Sequence, residues 1–194
     1  MNLIIEGNPR LQALIEGDPS CPCAIVTHPH PLYGGDMHNN VVRAARAAAL
    51  EAGLSCLRFN FRGTGLSAGC FDEGQGEIND LERAVKSVSC PAVIIGYSFG
   101  AYVAANYLQA VDLPAILIAP PTGLMPHPSL KGRNVWLIAG TQDEFCDLEA
   151  LDELADLNRI ITQSGVDHFW FGAENLMSQI LLELLAGLKP SLQT

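Results

Sequence analysis

Apolar runs of strand length alternate with longer segments of helical periodicity along this sequence, and this alternation restricts the fold more than any other feature. Seven such runs are predicted to be strands, separated by segments in which apolar residues recur every three or four positions. Strands that alternate with helices are typical of βαβ units around a mostly parallel sheet. We therefore expect an α/β fold with a doubly wound, largely parallel sheet. The predicted strands cover residues 11–16, 23–27, 55–61, 90–97, 115–119, 135–140 and 159–162.

Five predicted helices lie between these strands or follow them. The Ala-rich segment 41–52 can be capped by Asn39 or Asn40 and ends at Gly53, a residue that readily terminates a helix. The last helix begins near residue 173 and carries an apolar stripe that we assign to the core. With no linker or repeat to divide it, the chain is interpreted as one domain over residues 1–194. The remaining predicted helices cover residues 76–88, 100–109 and 147–157.

Charge and hydropathy argue against several classes of partner. The 11 basic and 21 acidic residues give a net charge of -10, which repels phosphate groups, so we expect no nucleic acid partner. The apolar run in residues 1–7 is too short for a signal peptide, and no segment is long and apolar enough to span a membrane. We therefore expect a cytoplasmic protein. Its six cysteines are predicted to be free thiols. No role is assigned to the closely spaced Cys21 and Cys23.

Ser98 is the candidate nucleophile. It lies in Gly96-Tyr97-Ser98-Phe99-Gly100, directly after a predicted buried strand and before a predicted helix. In a nucleophile elbow the serine occupies a sharp turn between strand and helix, and the flanking glycines allow the two elements to pack closely. This placement predicts a nucleophilic serine. The alternative is a glycine-rich turn in which Ser98 only caps the helix.

The elbow and the order of the predicted elements resemble the α/β-hydrolase superfamily from about residue 11 onward. The stretch Asn-Phe-Arg-Gly-Thr-Gly-Leu-Ser at residues 60–67 is similar to a loop of the same superfamily. The His-Pro-His-Pro sequence at residues 28–31, which runs into a Gly-Gly pair, looks like that of small bacterial members related to dienelactone hydrolases and esterases. The resemblance implies a serine hydrolase that needs neither a metal ion nor an organic cofactor.

The resemblance also assigns the partners of Ser98. In this superfamily the acid follows a late strand and the histidine precedes the last helix. Asp143 directly follows the predicted strand 135–140, and His168 precedes the last predicted helix. His168 would take the serine proton near neutral pH, and Asp143 would orient the imidazole ring. The reserve candidates for the acid are Glu144 and Asp147.

Acyl transfer also requires donors for the developing oxyanion. The resemblance assigns one donor to the amide of Phe99 and the other to the loop after the strand 23–27. That loop has His28-Pro29 where most members have His-Gly, and proline carries no N–H. We expect His30 to supply the second donor, with Leu32 as the second choice.

The short connection at residues 120–133 leaves no room for a helical lid. The site should therefore be open and favour small or exposed acyl groups. The expected substrate is a small-molecule ester or thioester, with amides and lactones as further candidates. Residues expected to line the pocket are Leu32, Tyr33, Leu124, Met125 and Phe169.

Other interpretations remain open at this stage. His28, His30, Asp36 and His38 could bind zinc, although their spacing matches no known metal motif. Glycines in residues 63–69 could suggest a dinucleotide loop, but they are not in the first βαβ unit. The fold could also serve as a non-catalytic binding protein, or the same three residues could transfer the acyl group to an acceptor other than water.

Overall fold

One eight-stranded sheet forms the centre of the computed structural model, which describes residues 1–18 and 20–188. In chain order the strands are β1 Asn2–Ile5, β2 Leu11–Glu16, β3 Cys23–Thr27, β4 Ser55–Phe59, β5 Pro91–Tyr97, β6 Ala115–Ile118, β7 Val135–Gly140 and β8 Ile160–Gln163. Their order across the sheet is β1-β2-β4-β3-β5-β6-β7-β8.

The adjacent strands β4-β3-β5-β6-β7-β8 are all parallel. β3 pairs in parallel with both β4 and β5, and the strands from β5 to β8 each pair in parallel with the next. β2 pairs antiparallel with β4, and β1 extends that edge antiparallel to β2. The central strands are buried on both faces, as their continuous apolar runs predict. The expected α/β class with a largely parallel sheet is confirmed.

The helices of the described residues lie on both faces of the sheet. They are α1 Asn40–Glu51, α2 Gln75–Lys86, α3 Phe99–Tyr107, α4 Leu148–Leu154 and α5 Glu174–Leu188. α1 and α5 pack together on one face, where Val42 and Leu181 are fully buried. α2 and α3 pack together on the other, with Leu81 and Val103 in a second core. The apolar stripe of α5 therefore faces the core.

Several predicted boundaries were wrong by a few residues, and β1 was not predicted. β4 ends at Phe59 rather than at residue 61, because the amide of Phe61 donates to the buried ring of His28 (3.0 Å). α4 begins after Asp147 because that carboxylate caps the helix, and it ends at Leu154, where the chain becomes extended. All six cysteines are free thiols.

Residues 119–134, which connect β6 to β7, contain no helix. The predicted absence of a helical lid is therefore confirmed, and the carboxyl ends of the central strands are not covered by an inserted element. Within the described residues no helix has both the length and the apolar character needed to cross a bilayer. The loops at this open end of the sheet carry the residues described next.

Candidate active site

Ser98 occupies a strained turn between β5 and α3. Its backbone has φ 53° and ψ -119°, a left-handed conformation that residues with a side chain rarely adopt. Its amide donates to the Ile118 carbonyl of the neighbouring strand (2.9 Å), which fixes the turn to the sheet. A Cβ atom on Gly96 would lie 2.7 Å from the Gly100 carbonyl oxygen, and one on Gly100 would lie 2.5 Å from Thr27 Oγ1. Both glycines are therefore required by close packing.

The side chain of His168 bridges Ser98 and Asp143. Ser98 Oγ lies 2.8 Å from His168 Nε2, and His168 Nδ1 lies 2.9 Å from both carboxylate oxygens of Asp143. All three side chains are buried. With its Nδ1 proton donated to Asp143, the ring presents Nε2 as an acceptor for the Ser98 hydroxyl. The structure thus brings the three residues named from the sequence into one hydrogen-bonded chain that can carry a proton from the serine.

Asp143 is oriented by the loop that follows β7. Its Oδ1 accepts hydrogen bonds from the amides of Phe145 (2.9 Å) and Cys146 (3.1 Å). These bonds fix the carboxylate independently of its contact with the imidazole. The reserve acids lie elsewhere. Glu144 is exposed, and the Asp147 carboxylate accepts from two amides in the first turn of α4.

The segment around His168 is held by a turn of its own and by contacts from two other parts of the chain. Asp167 Oδ1 accepts from the amides of Phe169 (2.9 Å) and Trp170 (3.1 Å), which closes a tight turn. The buried hydroxyl of Tyr97 donates to the His168 carbonyl (3.0 Å), and Asn40 Nδ2 donates to the Phe169 carbonyl (2.9 Å). Burial raises the pKa of Tyr97, so its hydroxyl stays protonated and able to donate.

The sequence does not reveal that Tyr97 and Asn40 hold this segment. Tyr97 occupies a variable position of the elbow. Its hydroxyl lies at the end of a buried strand, which is the one indication in the sequence that it requires a hydrogen-bond partner. Asn40 was considered as a helix cap, but Asn39 is the cap, because its Oδ1 accepts from the Val41 amide (2.9 Å). Asn40 instead reaches across the site to residues more than a hundred positions away.

The two amides expected to stabilise an oxyanion lie on neighbouring segments. Phe99 is the first residue of α3, so its amide has no acceptor within the helix. The imidazole ring of His30 packs 5.0 Å from the ring of Phe99, measured between centroids, which brings the two segments together. The Leu32 amide donates to His30 Nδ1 (3.2 Å). Across the described ranges the His30 amide donates to no other protein group, so His30 remains our predicted second donor in preference to Leu32.

His28 is a structural residue of the loop that contains His30. Its ring is completely buried, with Nδ1 2.7 Å from the Pro29 carbonyl and Nε2 accepting from the Phe61 amide (3.0 Å). Burial lowers its pKa to about 4, so the ring is neutral at physiological pH. Both ring nitrogens are used within the protein, which removes His28 from the zinc hypothesis. The residues that the structure describes hold no group of three His, Cys, Asp or Glu side chains arranged to bind a metal ion.

A cavity of about 660 Å³ opens beside His168. Of the five residues predicted to line the pocket, Phe169 lines this cavity. Leu32, Tyr33 and Leu124 are strongly exposed, whereas Met125 is half-buried against the core. The sequence missed most of the lining, which comes from the loops after β7 and β8. The lining residues are Thr141, Gln142, Asp143, Glu144, Phe145, Asp167, His168 and Phe169.

The sequence of this chain is similar to that of known proteins. A model of the alpha/beta hydrolase family matches residues 28–174. An uncharacterized protein of Rickettsia prowazekii is 33% identical over 174 residues, which cover 78% of this chain and 73% of that protein.

Two solved structures are similar over nearly the whole chain. An alpha-beta serine hydrolase homologue from Coxiella burnetii is 29% identical, with a TM-score of 0.80 over 94% of this chain and 96% of that one. An a/b serine hydrolase without lid from Xanthomonas campestris is 28% identical, with a TM-score of 0.84 over 100% of this chain and 95% of that one.

Proposed function

Because the chain belongs to the alpha/beta hydrolase family, we propose that it is a lidless serine hydrolase that cleaves a carboxylic ester or thioester through an acyl-enzyme. The observation that carries the proposal is the hydrogen-bonded chain from Ser98 Oγ through His168 to the carboxylate of Asp143. The serine hydrolases among the similar structures support the same class of reaction.

In the proposed reaction Ser98 Oγ attacks the substrate carbonyl carbon while its proton passes to His168 Nε2. Asp143 stays ionised and stabilises the imidazolium that forms. The carbonyl oxygen becomes an oxyanion, for which we propose the amides of Phe99 and His30 as donors. A preorganised donor of this kind typically contributes about a hundredfold to a thousandfold to the rate.

Collapse of the tetrahedral intermediate breaks the bond between the acyl carbon and the leaving group, and His168 returns its proton to the departing oxygen or sulfur. Water then attacks the acyl-Ser98 ester, with His168 again acting as the base, and the carboxylic acid leaves. These steps use only side chains and amides of this chain and require no cofactor. Amides and lactones can undergo the same steps, and an alcohol acceptor in place of water would give acyl transfer.

The openness of the site supports small or exposed acyl groups as substrates. No helix lies between β6 and β7. Leu32, Tyr33 and Leu124, which the sequence assigns to the pocket, are exposed to solvent. Among the described residues, a cavity of about 660 Å³ opens next to His168, between the loops that follow β7 and β8. We therefore propose acetyl and other short acyl esters as the preferred class.

An active-site label tests the proposal directly. A fluorophosphonate probe should label the folded protein at Ser98 and should fail to label Ser98→Ala. The matched control is Ser129→Ala, because Ser129 is exposed and its hydrogen bonds are with Gln109 and Lys131 rather than with the three catalytic candidates. Equal labelling of the Ser98→Ala variant would exclude Ser98 as the nucleophile. No labelling of the wild type together with no hydrolysis of short p-nitrophenyl esters would favour a non-catalytic binding protein.

A further inference from the structure

Phe71 packs against both residues whose amides we propose as oxyanion donors. The centroid of its ring lies 4.8 Å from that of His30 and 5.6 Å from that of Phe99. The ring centroids of His30 and Phe99 are themselves 5.0 Å apart, so the three rings form a closed triangle. These separations are typical of packed aromatic pairs, which contribute more than the area they bury. One side chain therefore links the two donor residues.

The three rings come from separate parts of the chain. His30 lies in the loop after β3, Phe99 is the first residue of α3, and Phe71 lies in residues 60–74, which connect β4 to α2. Protein interiors are close-packed, so a side chain that packs on two segments fixes their relative position. Two donors act on one oxyanion only if the loop of His30 keeps its place against α3. The Phe71 ring contacts both segments.

The backbone around Phe71 is itself anchored. Glu77 on α2 is completely buried, and its two carboxylate oxygens accept from the amides of Asp72 (2.9 Å) and Gly74 (2.8 Å). On the other side, a Cβ atom on Gly63 would lie 3.2 Å from the Phe71 amide nitrogen, so the connection packs closely on itself there. The ring of Phe71 is thus carried by a segment that is held to α2.

We propose that Phe71 is a positioning residue for the oxyanion site. Its ring, held from α2 by Glu77, keeps the loop of His30 against α3 and both donor amides directed at one oxyanion. This inference rests on the proposed hydrolase function and deepens it, because it names a residue that controls transition-state stabilisation without contacting the reacting atoms. Oxyanion donors are effective because they are preorganised, so a side chain that maintains their geometry contributes to the rate.

Truncation of the ring should lower kcat and leave KM unchanged. Loss of a whole donor typically costs about a hundredfold to a thousandfold, and Phe71→Ala displaces a donor rather than removing it, so we expect about a tenfold decrease in kcat for p-nitrophenyl acetate. KM stays the same because the oxyanion develops only on the way to the transition state. Phe71→Leu keeps apolar bulk in place of the ring and should lower kcat by only about threefold.

Leu113→Ala is the matched control. Leu113 is half-buried against the same core as Phe71, but it precedes β6 at the amino ends of the strands, at the opposite end of the sheet from Ser98. Its truncation should lower the urea concentration of half-unfolding without altering kcat. If kcat fell equally in Leu113→Ala and Phe71→Ala, the effect would be a general loss of packing, contrary to the inference.

A short trifluoromethyl ketone measures oxyanion stabilisation without turnover. Ser98 Oγ adds to its carbonyl carbon, the serine proton passes to His168 Nε2, and the carbonyl oxygen becomes an oxyanion that uses the same two amides. Because transition-state analogues follow kcat/KM, the inhibition constant should rise about tenfold in Phe71→Ala and stay unchanged in Leu113→Ala. An unchanged constant in Phe71→Ala would overturn the inference.

Esters of different acyl length separate positioning from direct contact with the substrate. The oxyanion is common to all esters, so Phe71→Ala should lower kcat by the same factor for p-nitrophenyl acetate and p-nitrophenyl butyrate. A side chain that formed a wall of the acyl site would instead change KM and affect the two esters unequally. Unequal losses would therefore contradict a positioning role.

The outcomes also separate this inference from the proposed function. If the wild type hydrolyses the esters and binds the ketone while Phe71→Ala behaves identically, the positioning role is wrong and the hydrolase function stands. If the wild type neither hydrolyses the esters nor binds the ketone, both are wrong. Should Phe71→Ala fail to fold, Phe71→Leu decides: an inhibition constant about threefold higher with unchanged KM supports the inference, and wild-type values overturn it.

Discussion

Two segments of the chain meet at Ser98 from opposite sides, and they are held by different kinds of group. Residues 165–170, the base segment, carry His168 and are fixed by the Asp167 carboxylate and by hydrogen bonds from Tyr97 and Asn40 to main-chain carbonyls. Residues 28–35, the oxyanion segment, are fixed by the neutral, fully buried ring of His28.

Neutral side chains also fix Met37, which lies just beyond the oxyanion segment, although its carbonyl accepts from the charged Arg58 (2.9 Å). Asn60 Oδ1 accepts from the Met37 amide (2.8 Å), and Asn60 Nδ2 donates to Gln12 (2.8 Å). The Ser67 hydroxyl donates to the Asn60 carbonyl (2.7 Å), which ties the loop after β4 into the same network. A segment that must offer an amide to a developing negative charge gains nothing from a carboxylate nearby, because that charge would oppose the oxyanion.

The contrast has a chemical basis. In the proposed mechanism the base segment takes up a proton, and the Asp143 carboxylate lies 2.9 Å from the ring that receives it. The oxyanion segment would offer N–H groups to a developing negative charge, and the His28 ring that holds it is neutral. Substitutions on the base segment should therefore act mainly on the chemical step, and substitutions of His28 should act mainly on folding.

The largest expected effect is loss of the base. His168→Ala should lower kcat for a short ester by about 10⁵-fold, because His168 Nε2 is the one base hydrogen-bonded to Ser98 Oγ among the described residues. Esterase assays with purified proteins measure this. His38→Ala, which removes an exposed histidine near α1, is the matched control and should keep wild-type activity. A loss below about tenfold in His168→Ala would remove the residue from the mechanism.

The second-largest expected effect on kcat is that of replacing the acid. Asp143→Asn should lower kcat by about 10⁴-fold, less than removal of the base, because the amide orients the ring poorly but does not touch the substrate. Steady-state kinetics on the same ester give the comparison. Glu144→Asn serves as the neighbouring control and should cost far less. If the two losses were reversed, the acid would be Glu144 and not Asp143.

His28 should make folding, rather than chemistry, dependent on pH. Its pKa is about 4 in the folded protein against an ordinary 6.5, so below pH 6.5 the unfolded chain binds a proton that the folded chain excludes. Its contribution to stability is complete above pH 6.5 and is lost as pH falls towards 4, at a cost of about 3 kcal/mol. Urea unfolding of wild type and His28→Asn across this range measures it. An identical pH dependence in both proteins would contradict the prediction.

The smallest expected effect is that of Tyr97→Phe. Removal of the hydroxyl leaves the buried His168 carbonyl without this donor, and we expect kcat to fall about tenfold with KM unchanged. The pH at which kcat is half-maximal should also shift, because the ring moves relative to Asp143; a purely structural role would leave it in place. Tyr107→Phe, another buried tyrosine on α3, is the control. If the pH of half-maximal kcat were the same in Tyr97→Phe and in the wild type, the role of Tyr97 would be limited to stability.

The sequence predicts what depends on local pattern. Seven strands were identifiable because their apolar runs are continuous and bounded by turn residues, whereas β1 is four residues long, half exposed and paired only at the edge of the sheet. Ser98 was assigned from its motif between a strand and a helix, and Asp143 and His168 were assigned from the resemblance to the α/β-hydrolase superfamily. The distances between them could not be assigned in this way, since they depend on how three loops meet.

The sequence fails where one residue acts on another far away in the chain. Tyr97 and His168 are 71 positions apart, and Asn40 and Phe169 are 129 apart, so no local pattern links them. His28 was considered as a metal ligand because alternate residues of an extended segment, such as His28 and His30, point to the same side. Its complete burial against Phe61 is a property of the folded chain alone.

The absence of a helix in residues 119–134 has a consequence for kinetics. In an enzyme whose site is covered, a conformational gate must open before the substrate arrives, and that opening often limits turnover. Between β6 and β7 this chain has no inserted helix that could act as such a gate. Product formation should therefore begin without a lag and should rise smoothly with substrate concentration, with no jump when an ester begins to form micelles.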